Sequence, residues 1–372
     1  MENIVSYVKT NFDTFAERPF TEVDSLVLSW LSYLHFPEEF GKLLTDEGMS
    51  IYEIYKSEYF EQMLTNVKSP DETLALLAAA VASPRFRALS LFRYENQFDK
   101  TIDKQFAAVS FQVPDTGIYI AYRGTDSTFT GWKEDFNLVL QDPVPSQSEA
   151  LSYINEIGEK TKGNLLVGGH SKGGNLAVYA SANCKPLVGE KITAIYSHDG
   201  PGFSKEEVAS EKIDRVRDRI HKTLPQSSLI GMLMEQECPC TIVHSNEKSV
   251  AQHNPFSWEV KGNAFATEKA LTVDAKILYK MVNDWADNYS DEECAQFIDV
   301  LFDVIEGTGA ATFDEMGANL KEAIPIIVKE ASDMDPQMRK FMLRTFADLV
   351  KSGAQSVPET LMEQVKKMKS EA

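Results

Sequence analysis

The chain holds one serine in a setting typical of a nucleophile, Ser171 in Gly169-His170-Ser171-Lys172-Gly173. The apolar run at 165–167 indicates a short buried strand, and the small residues at 175–182 indicate a helix. A strand, a sharp turn and a helix in this order place a hydroxyl at a helix N-terminus, where backbone N–H groups can bind an oxyanion. We expect glycine on both sides because larger side chains would collide with the neighbouring backbone. The alternative is a glycine-rich turn with an ordinary serine.

A nucleophilic serine needs a base, and His253 is the predicted one among six histidines. It lies in a polar loop at 251–255, after the last apolar strand. In one arrangement of such sites the base comes last in chain order, on a loop of this kind. The side chain of His170 is expected to point elsewhere. Packing explains His221 and His244, which lie inside or at the end of apolar strand segments.

Asp199 is the predicted acid that orients the base. It opens Asp199-Gly200-Pro201-Gly202 directly after an apolar strand, and glycine and proline fix the backbone sharply there. Reactive groups on parallel sheets lie at the carboxyl ends of the strands, which suits a carboxylate held at this point. Other acids lie between the serine and the base, and a turn-forming aspartate is the alternative role for Asp199.

A second loop offers groups that could stabilise negative charge. Tyr122-Arg123-Gly124-Thr125-Asp126 follows another predicted strand, and its glycine lets the backbone approach a ligand closely. The N–H of Thr125, with its hydroxyl, is predicted to join the N–H of Lys172 as an oxyanion hole. Each such donor typically contributes on the order of 3 kcal/mol to the transition state. Arg123 and Asp135 are predicted to pair and brace this loop.

Strands and helices alternate from residue 84 onward, which favours a mainly parallel sheet covered on both faces. Helices are predicted near 147–159 and 175–182. The predicted strands are 88–94, 107–113, 118–122, 165–167, 192–197, 220–224 and 241–244.

Both ends of the chain are predicted to be helical. Within 1–83, apolar residues recur at helical spacing behind Thr21 as a candidate N-cap, and further helices are predicted at 51–63 and 73–81. These helices are expected to cover one edge or mouth of the following domain. Apolar stripes and capping-box signatures from 264 onward predict several amphipathic helices. We therefore divide the chain into a domain at 1–263 and a helical region at 264–372, whose protein partner is unknown.

Composition narrows the class of partner. A formal net charge of -19 repels nucleic acid and anionic membranes, and 43% hydrophobic content is ordinary for a globular protein. The longest apolar run, 74–82, is too short to span a bilayer, and no signal peptide is visible at the N-terminus. The four cysteines lack zinc spacing, so we expect idle thiols and no metal or other cofactor. These features favour a cytoplasmic protein of bacterial type.

Taken together, the motifs resemble the class 3 (fungal triacylglycerol) lipases of the α/β-hydrolase superfamily. The chain is more closely similar to an uncharacterised bacterial family of lipase-3-like hydrolases. The similarity covers roughly residues 20–262. The matching stretches are Tyr122-Arg123-Gly124-Thr125-Asp126, Gly131-Trp132-Lys133-Glu134-Asp135-Phe136, Gly169-His170-Ser171-Lys172-Gly173-Gly174-Asn175-Leu176, Asp199-Gly200-Pro201-Gly202-Phe203 and Gln252-His253.

The resemblance implies an α/β-hydrolase fold. Together with the helices predicted from the sequence pattern, the expected architecture is an α/β-hydrolase fold with N-terminal helices and a C-terminal helical extension at 264–372, which lies outside the resemblance. The resemblance also implies Ser171 as nucleophile, His253 as base, and Thr125 and Lys172 as oxyanion donors. Class 3 lipases take their acid from an Asp-x-Val-Pro-like stretch, which here falls near 224–228, where no carboxylate is present. We therefore expect the acid at Asp199, or no acid at all.

We expect a serine hydrolase that cleaves a carboxylic ester, of a lipid or another small acyl compound, through a Ser-His-Asp triad and an acyl-enzyme. A thioesterase, an amidase or an acyltransferase would use the same nucleophile, because loops set the substrate pocket. A non-catalytic hydrolase-fold scaffold that binds a protein partner is a further alternative. A base with no carboxylate within hydrogen-bond reach would favour the scaffold.

Overall fold

The fold is built on an eight-stranded sheet. The structure is a computed structural model that describes residues 2–125, 138, 143–228, 230–273 and 275–276. The strands of the sheet are β1 (Met49–Ser50), β2 (Ser90–Asp99), β3 (Lys104–Val113), β4 (Gly117–Tyr122), β5 (Leu165–His170), β6 (Ile192–His198), β7 (Ile220–Pro225) and β8 (Cys240–Val243). They lie side by side in sequence order. β1 to β4 pair antiparallel, and β4 to β8 pair parallel.

Helices connect and flank these strands. In the described residues they are α1 (Ile4–Thr10), α2 (Glu22–Leu31), α3 (Ile51–Tyr55), α4 (Phe60–Met63), α5 (Pro70–Ala82), α6 (Pro145–Lys160), α7 (Lys172–Asn183), α8 (Pro186–Gly189), α9 (Lys205–Val208) and α10 (Glu211–Asp214). Short 3-10 helices include Ser249–His253 and Pro255–Ser257, and a small hairpin joins β9 (Val260–Lys261) to β10 (Ala264–Phe265).

Helices bury both faces of the sheet, with a different set of helices on each face. Successive side chains of a strand point to opposite faces. In β4, Tyr119 and Ala121 join the core formed with α1, α2 and α5, whereas Ile120 and Tyr122 join the core formed with α6 and α7. The predicted α/β class with a mostly parallel sheet is confirmed. The N-terminal helices cover a face of the sheet, and Tyr33, just after α2, also lies beside His170 at the carboxyl end of β5.

Polar groups fix α2 on its face of the sheet. Thr21 caps the helix, as the sequence predicted, and it does so in a reciprocal pair with Asp24. Asp24 also binds Arg85 Nη2 at 2.7 Å, and both side chains are fully buried. Arg85 Nη1 donates to the carbonyls of Asp13, Thr14 and Arg18, which anchors the segment before α2. A buried charge with this many partners is satisfied locally.

The predicted strands all occur, with ends that differ by a few residues. The helix predicted at 51–63 forms two short helices instead, α3 and α4. His221, predicted to be packed, is exposed and stacks on Tyr196. In the described residues no helix is long and apolar enough to cross a bilayer. The helices predicted within 264–372 lie outside the described residues beyond Lys276, so that region stays a prediction.

Candidate active site

Ser171 lies at a strained turn between β5 and α7. Its backbone has φ 60° and ψ -134°, a conformation that residues other than glycine rarely adopt. A Cβ on Gly169 would lie 2.2 Å from the carbonyl carbon of Gly173, and a Cβ on Gly173 would lie 2.1 Å from the carbonyl oxygen of Tyr122. The close approaches expected from the sequence are therefore present. They bring the end of β4 directly against the turn.

The loop after β4 lies beside this serine. A Cβ on Gly124 would lie 2.5 Å from the carbonyl oxygen of His170 and 3.0 Å from Cβ of Ser171, so glycine is what allows the approach. Thr125 follows and is buried. Lys172 is the first residue of α7, and N–H groups in the first turn of a helix point toward its N-terminal end, where Ser171 lies. Both predicted oxyanion residues thus come from elements adjacent to the serine.

Arg123 contacts two polar side chains of the described residues. Its Nη2 donates to Oδ1 of Asn96 at 2.9 Å, and its Nη1 lies within 3.5 Å of both ring nitrogens of His35. The predicted partner Asp135 lies outside the described residues. Asn96 belongs to β2, so this arginine ties the loop after β4 to a distant antiparallel strand.

Asp199 lies directly after β6 and is completely buried. Its φ of 50° turns the chain away from the strand, and its N–H donates to the carbonyl oxygen of Thr223 at 2.8 Å. Oδ1 accepts hydrogen bonds from Ser228 Oγ at 2.5 Å and from the N–H of Gly231 at 3.2 Å. Oδ2 accepts one from His253 Nδ1 at 2.6 Å. Donors therefore satisfy both oxygens of this buried carboxylate.

His253 ends the 3-10 helix Ser249–His253, and its side chain is 13% exposed where that of Asp199 is 1% exposed. The loop is fixed through Gln252. Its Oε1 accepts from the N–H of Ser227 at 2.7 Å, and its carbonyl accepts from Trp258 Nε1 at 2.7 Å. Because Nδ1 bonds a carboxylate, that nitrogen carries the proton and Nε2 is left as the basic nitrogen.

The structure brings two of the predicted residues into direct contact, His253 and Asp199, and places the third next to them. The rings of His253 and His170 lie 4.5 Å apart, and His170 precedes Ser171 in the chain. In the described part of the chain, Ser171 Oγ makes no hydrogen bond to His253. The turn, the imidazole and the carboxylate thus occupy one region at the carboxyl ends of β5 and β6.

Sequence reasoning missed Ser228 and Gly231, which hold Asp199. Ser228 lies in the stretch after β7 where the resemblance places an acid, and its hydroxyl binds the carboxylate that comes from β6. A Cβ on Gly231 would lie 2.3 Å from Oδ1 of Asp199, so glycine is what lets this N–H reach the acid. The serine pair at 227–228 was the available signal, because hydroxyls at a strand end can donate to a neighbouring acid.

Two further histidines are buried near the site and remain neutral. Burial lowers the pKa of His198 to about 3, and its ring nitrogens bond Ser25 Oγ at 2.9 Å and Thr223 Oγ1 at 2.7 Å. Burial, and then the proximity of His253, hold the pKa of His170 well below its usual range. Neither ring has a carboxylate partner among its hydrogen bonds to described residues.

No group of three histidine, cysteine, aspartate or glutamate side chains could hold a metal ion in the part of the chain that the structure describes. Three of the cysteines, Cys184, Cys238 and Cys240, are free thiols. Burial raises the pKa of the Cys240 thiol to about 11, so it is protonated at neutral pH.

Comparison with known proteins adds the family. No curated protein matches the chain. A model of the Mbeg1-like family matches residues 80–303, a range that includes Ser171, Asp199, His253 and strands β2 to β10. The match extends over more than half of the 372 residues, and the mostly parallel sheet fits an α/β-hydrolase. The chain therefore belongs to the Mbeg1-like family, a lipase-3-like family.

Proposed function

We propose that this protein is a serine hydrolase that cleaves a carboxylic ester through an acyl-enzyme. The observation that carries the proposal is the 2.6 Å hydrogen bond from His253 Nδ1 to Asp199 Oδ2, next to the strained turn at Ser171. A buried carboxylate on one ring nitrogen fixes the tautomer that leaves the other nitrogen free to accept a proton. Membership in a lipase-3-like family supports the same reaction class.

In the proposed reaction, Ser171 Oγ attacks the ester carbonyl carbon while His253 Nε2 takes the hydroxyl proton. The carbonyl oxygen becomes an oxyanion, which the N–H groups of Thr125 and Lys172 stabilise. The tetrahedral intermediate collapses when the alcohol leaves with the proton from Nε2. Water then attacks the acyl-enzyme by the same steps and releases the carboxylic acid and the free serine.

Asp199 stabilises the imidazolium that forms in both halves of the reaction. Its carboxylate is buried, so its attraction for the cation is screened less than it would be in water. Ser228 and Gly231 hold the other oxygen and keep the carboxylate oriented toward His253. The hydrogen bond between Ser171 Oγ and His253 is expected to form with substrate, because such bonds often tighten only in the Michaelis complex.

A non-catalytic scaffold would not need a buried carboxylate on a loop histidine. Burying an acid costs free energy unless donors satisfy it, and this one uses an imidazole, a hydroxyl and a backbone amide. The contact therefore supports the enzyme over the scaffold.

The proposal is tested by labelling with a fluorophosphonate probe, which reacts with activated serines. We expect the wild type to be labelled and Ser171→Ala to remain unlabelled. Ser152→Ala, which removes an exposed serine of α6, is the matched control and should be labelled like the wild type. Equal labelling of wild type and Ser171→Ala would overturn the proposal.

The substrate class is tested with p-nitrophenyl esters of increasing acyl length, together with matched thioesters and amides. We expect a higher kcat/KM for the esters than for the matched thioesters and amides. A higher kcat/KM for thioesters or amides would replace the ester by that class and leave Ser171 as the nucleophile.

A further inference from the structure

His170 uses both ring nitrogens in the interior of the protein. Its side chain is buried between α2 and the loop that holds His253, with the ring of Trp30 5.4 Å away in an edge-to-face contact. Nε2 lies 2.9 Å from the carbonyl oxygen of His253, and Nδ1 lies 3.1 Å from the hydroxyl of Tyr33. The mechanism proposed above gives this ring no task.

These contacts determine where the proton lies on His170. A carbonyl oxygen only accepts hydrogen bonds, so Nε2 must carry the proton and donate it to His253. The neutral ring then has a bare Nδ1, which accepts from the hydroxyl of Tyr33. Burial keeps the ring neutral, as the lowered pKa of His170 indicates. A neutral ring also avoids placing a second cation 4.5 Å from the imidazolium of His253.

The hydrogen bond from His170 joins two parts of the site directly. His170 precedes Ser171 on the strained turn, and the acceptor is the main chain of His253 itself. Donor and acceptor are 83 positions apart in the chain, and the bond between them lies one residue from the nucleophile. A shift of about 1 Å in a catalytic group can lower a rate by about 10²-fold, so a contact of this kind has a measurable effect.

We infer that His170 is a positioning residue: its Nε2–H holds the main chain of His253 against the turn of Ser171, and Tyr33 fixes the tautomer that makes this donation. The inference rests on the proposed function for its kinetic consequence. The contact itself can be measured without turnover.

The test uses a matched pair of amide variants, His170→Gln and His170→Asn. Both keep a polar group at the buried position, but only glutamine extends its N–H donor as far as Nε2 of histidine. His170→Phe keeps a ring and removes the donor. Tyr33→Phe removes only the hydroxyl that fixes the tautomer. His221→Gln, at an exposed histidine on the far end of β7, is the control.

Two readouts are compared in folded protein. The first is the downfield proton resonance of His253 Nδ1–H in its bond to Asp199, assigned by its loss in His253→Gln. The second is kcat and KM for an ester that the wild type hydrolyses. We expect His170→Asn and His170→Phe to broaden or lose the resonance and to lower kcat by about 10-fold to 100-fold, with little change in KM. His170→Gln should restore most of both, and Tyr33→Phe should show a smaller loss.

The inference is overturned if folded His170→Asn keeps the wild-type resonance and kcat, or if glutamine is no better than asparagine. If His170→Phe does not fold, the comparison between glutamine and asparagine still decides. Failure of the proposed function is a separate result. If Ser171 does not react with the fluorophosphonate probe, the resonance still reports whether His170 positions His253.

Discussion

The ends of two neighbouring parallel strands, β6 and β7, divide one task between them. β6 ends in His198 and continues into Asp199, which supplies the carboxylate on His253. After β7 the chain supplies a hydroxyl, Ser228, that binds the other oxygen of the same carboxylate. In class 3 lipases, which the chain resembles, the acid falls near 224–228, after β7. Here Ser228 at that position donates a hydrogen bond, and Asp199, which follows the preceding strand β6, accepts it.

The difference shows what this part of the site requires. In the proposed reaction His253 needs a carboxylate oxygen at Nδ1, and adjacent parallel strands end close enough together for either one to provide it. The strand that does not carry the acid contributes a donor that stabilises the acid. Hydrogen bonds to a charged group are worth more than neutral ones, about 1.5–3 kcal/mol each, so the donor is a substantial part of the arrangement.

Removing the charge at the end of β6 should have the largest effect. Asp199→Asn keeps the shape but places an amide against Nδ1, which favours the wrong tautomer of His253. We expect kcat for ester hydrolysis to fall by about 10⁴-fold, as in triads where the same change has been made. Glu247→Gln is the control, because Glu247 is an exposed acid that also lies between Ser171 and His253 in the chain. It should leave kcat unchanged. A fall of less than about ten-fold for Asp199→Asn would mean that Asp199 is not the acid.

Moving the charge to the end of β7 tests whether the two positions are equivalent. Asp199→Ser combined with Ser228→Asp exchanges the two side chains. We expect the double variant to be about 10²-fold more active than Asp199→Ser alone, because a carboxylate is again next to the imidazole. The measurement is kcat/KM of the single and double variants. Equal rates would show that only the β6 position can orient the base.

The histidine between these two strand ends should affect stability as a function of pH. The ring nitrogens of His198 bond hydroxyl groups among the described residues, and its pKa of about 3 lies below the value near 6.5 of an unfolded chain. Between these values the unfolded state binds more protons, so the free energy of unfolding is full above about pH 6.5 and falls as the pH drops. One such group contributes a slope of about 1.4 kcal/mol per pH unit, and His170 adds to it.

Urea unfolding at several pH values measures this slope. We expect His198→Gln to reduce the loss of stability between about pH 6 and pH 4 by about 2–3 kcal/mol relative to wild type. The same slope in both proteins would mean that His198 is not held neutral by the fold.

Removing the donor after β7 should have the smallest effect on rate. Ser228→Ala takes one hydrogen bond from Asp199 and leaves its bonds to Gly231 and His253. We expect kcat to fall by about ten-fold. Ser227→Ala is the matched control, because that hydroxyl binds Thr272 at 3.0 Å. If the two serine variants have the same kcat, the Ser228 hydroxyl that donates to Asp199 has no part in the reaction.

The sequence was sufficient where the signal is local. The turn at Ser171 needs small residues within a five-residue window, and Asp199 follows its strand directly, so both were predictable. The apolar stripe of α2 predicted a buried helix but not which surface it covers, because a stripe does not identify its partner. Whether the predicted residues perform catalysis stays a prediction until the variants are measured.

The contacts that sequence reasoning missed are long-range. Ser228 lies 29 residues from Asp199, and His170 lies 83 residues from the carbonyl it binds. Nothing in the local pattern shows that a serine will face an acid, or that a histidine beside the nucleophile will turn away and hold the base. The turn at Ser171 allowed the prediction that the side chain of His170 points away from the serine. It did not show which group that side chain contacts.

The strict chain order of the sheet also has a consequence for biosynthesis. From β4 onward each strand delivers its site residue in turn, and the imidazole of His253 arrives after β8. Under the proposed function, a nascent polypeptide is therefore inert until the ribosome has passed that loop. If the chain is the proposed hydrolase, cutting the exposed stretch at 246–248 would give two inactive halves, and their reassembly would report an association event through hydrolysis.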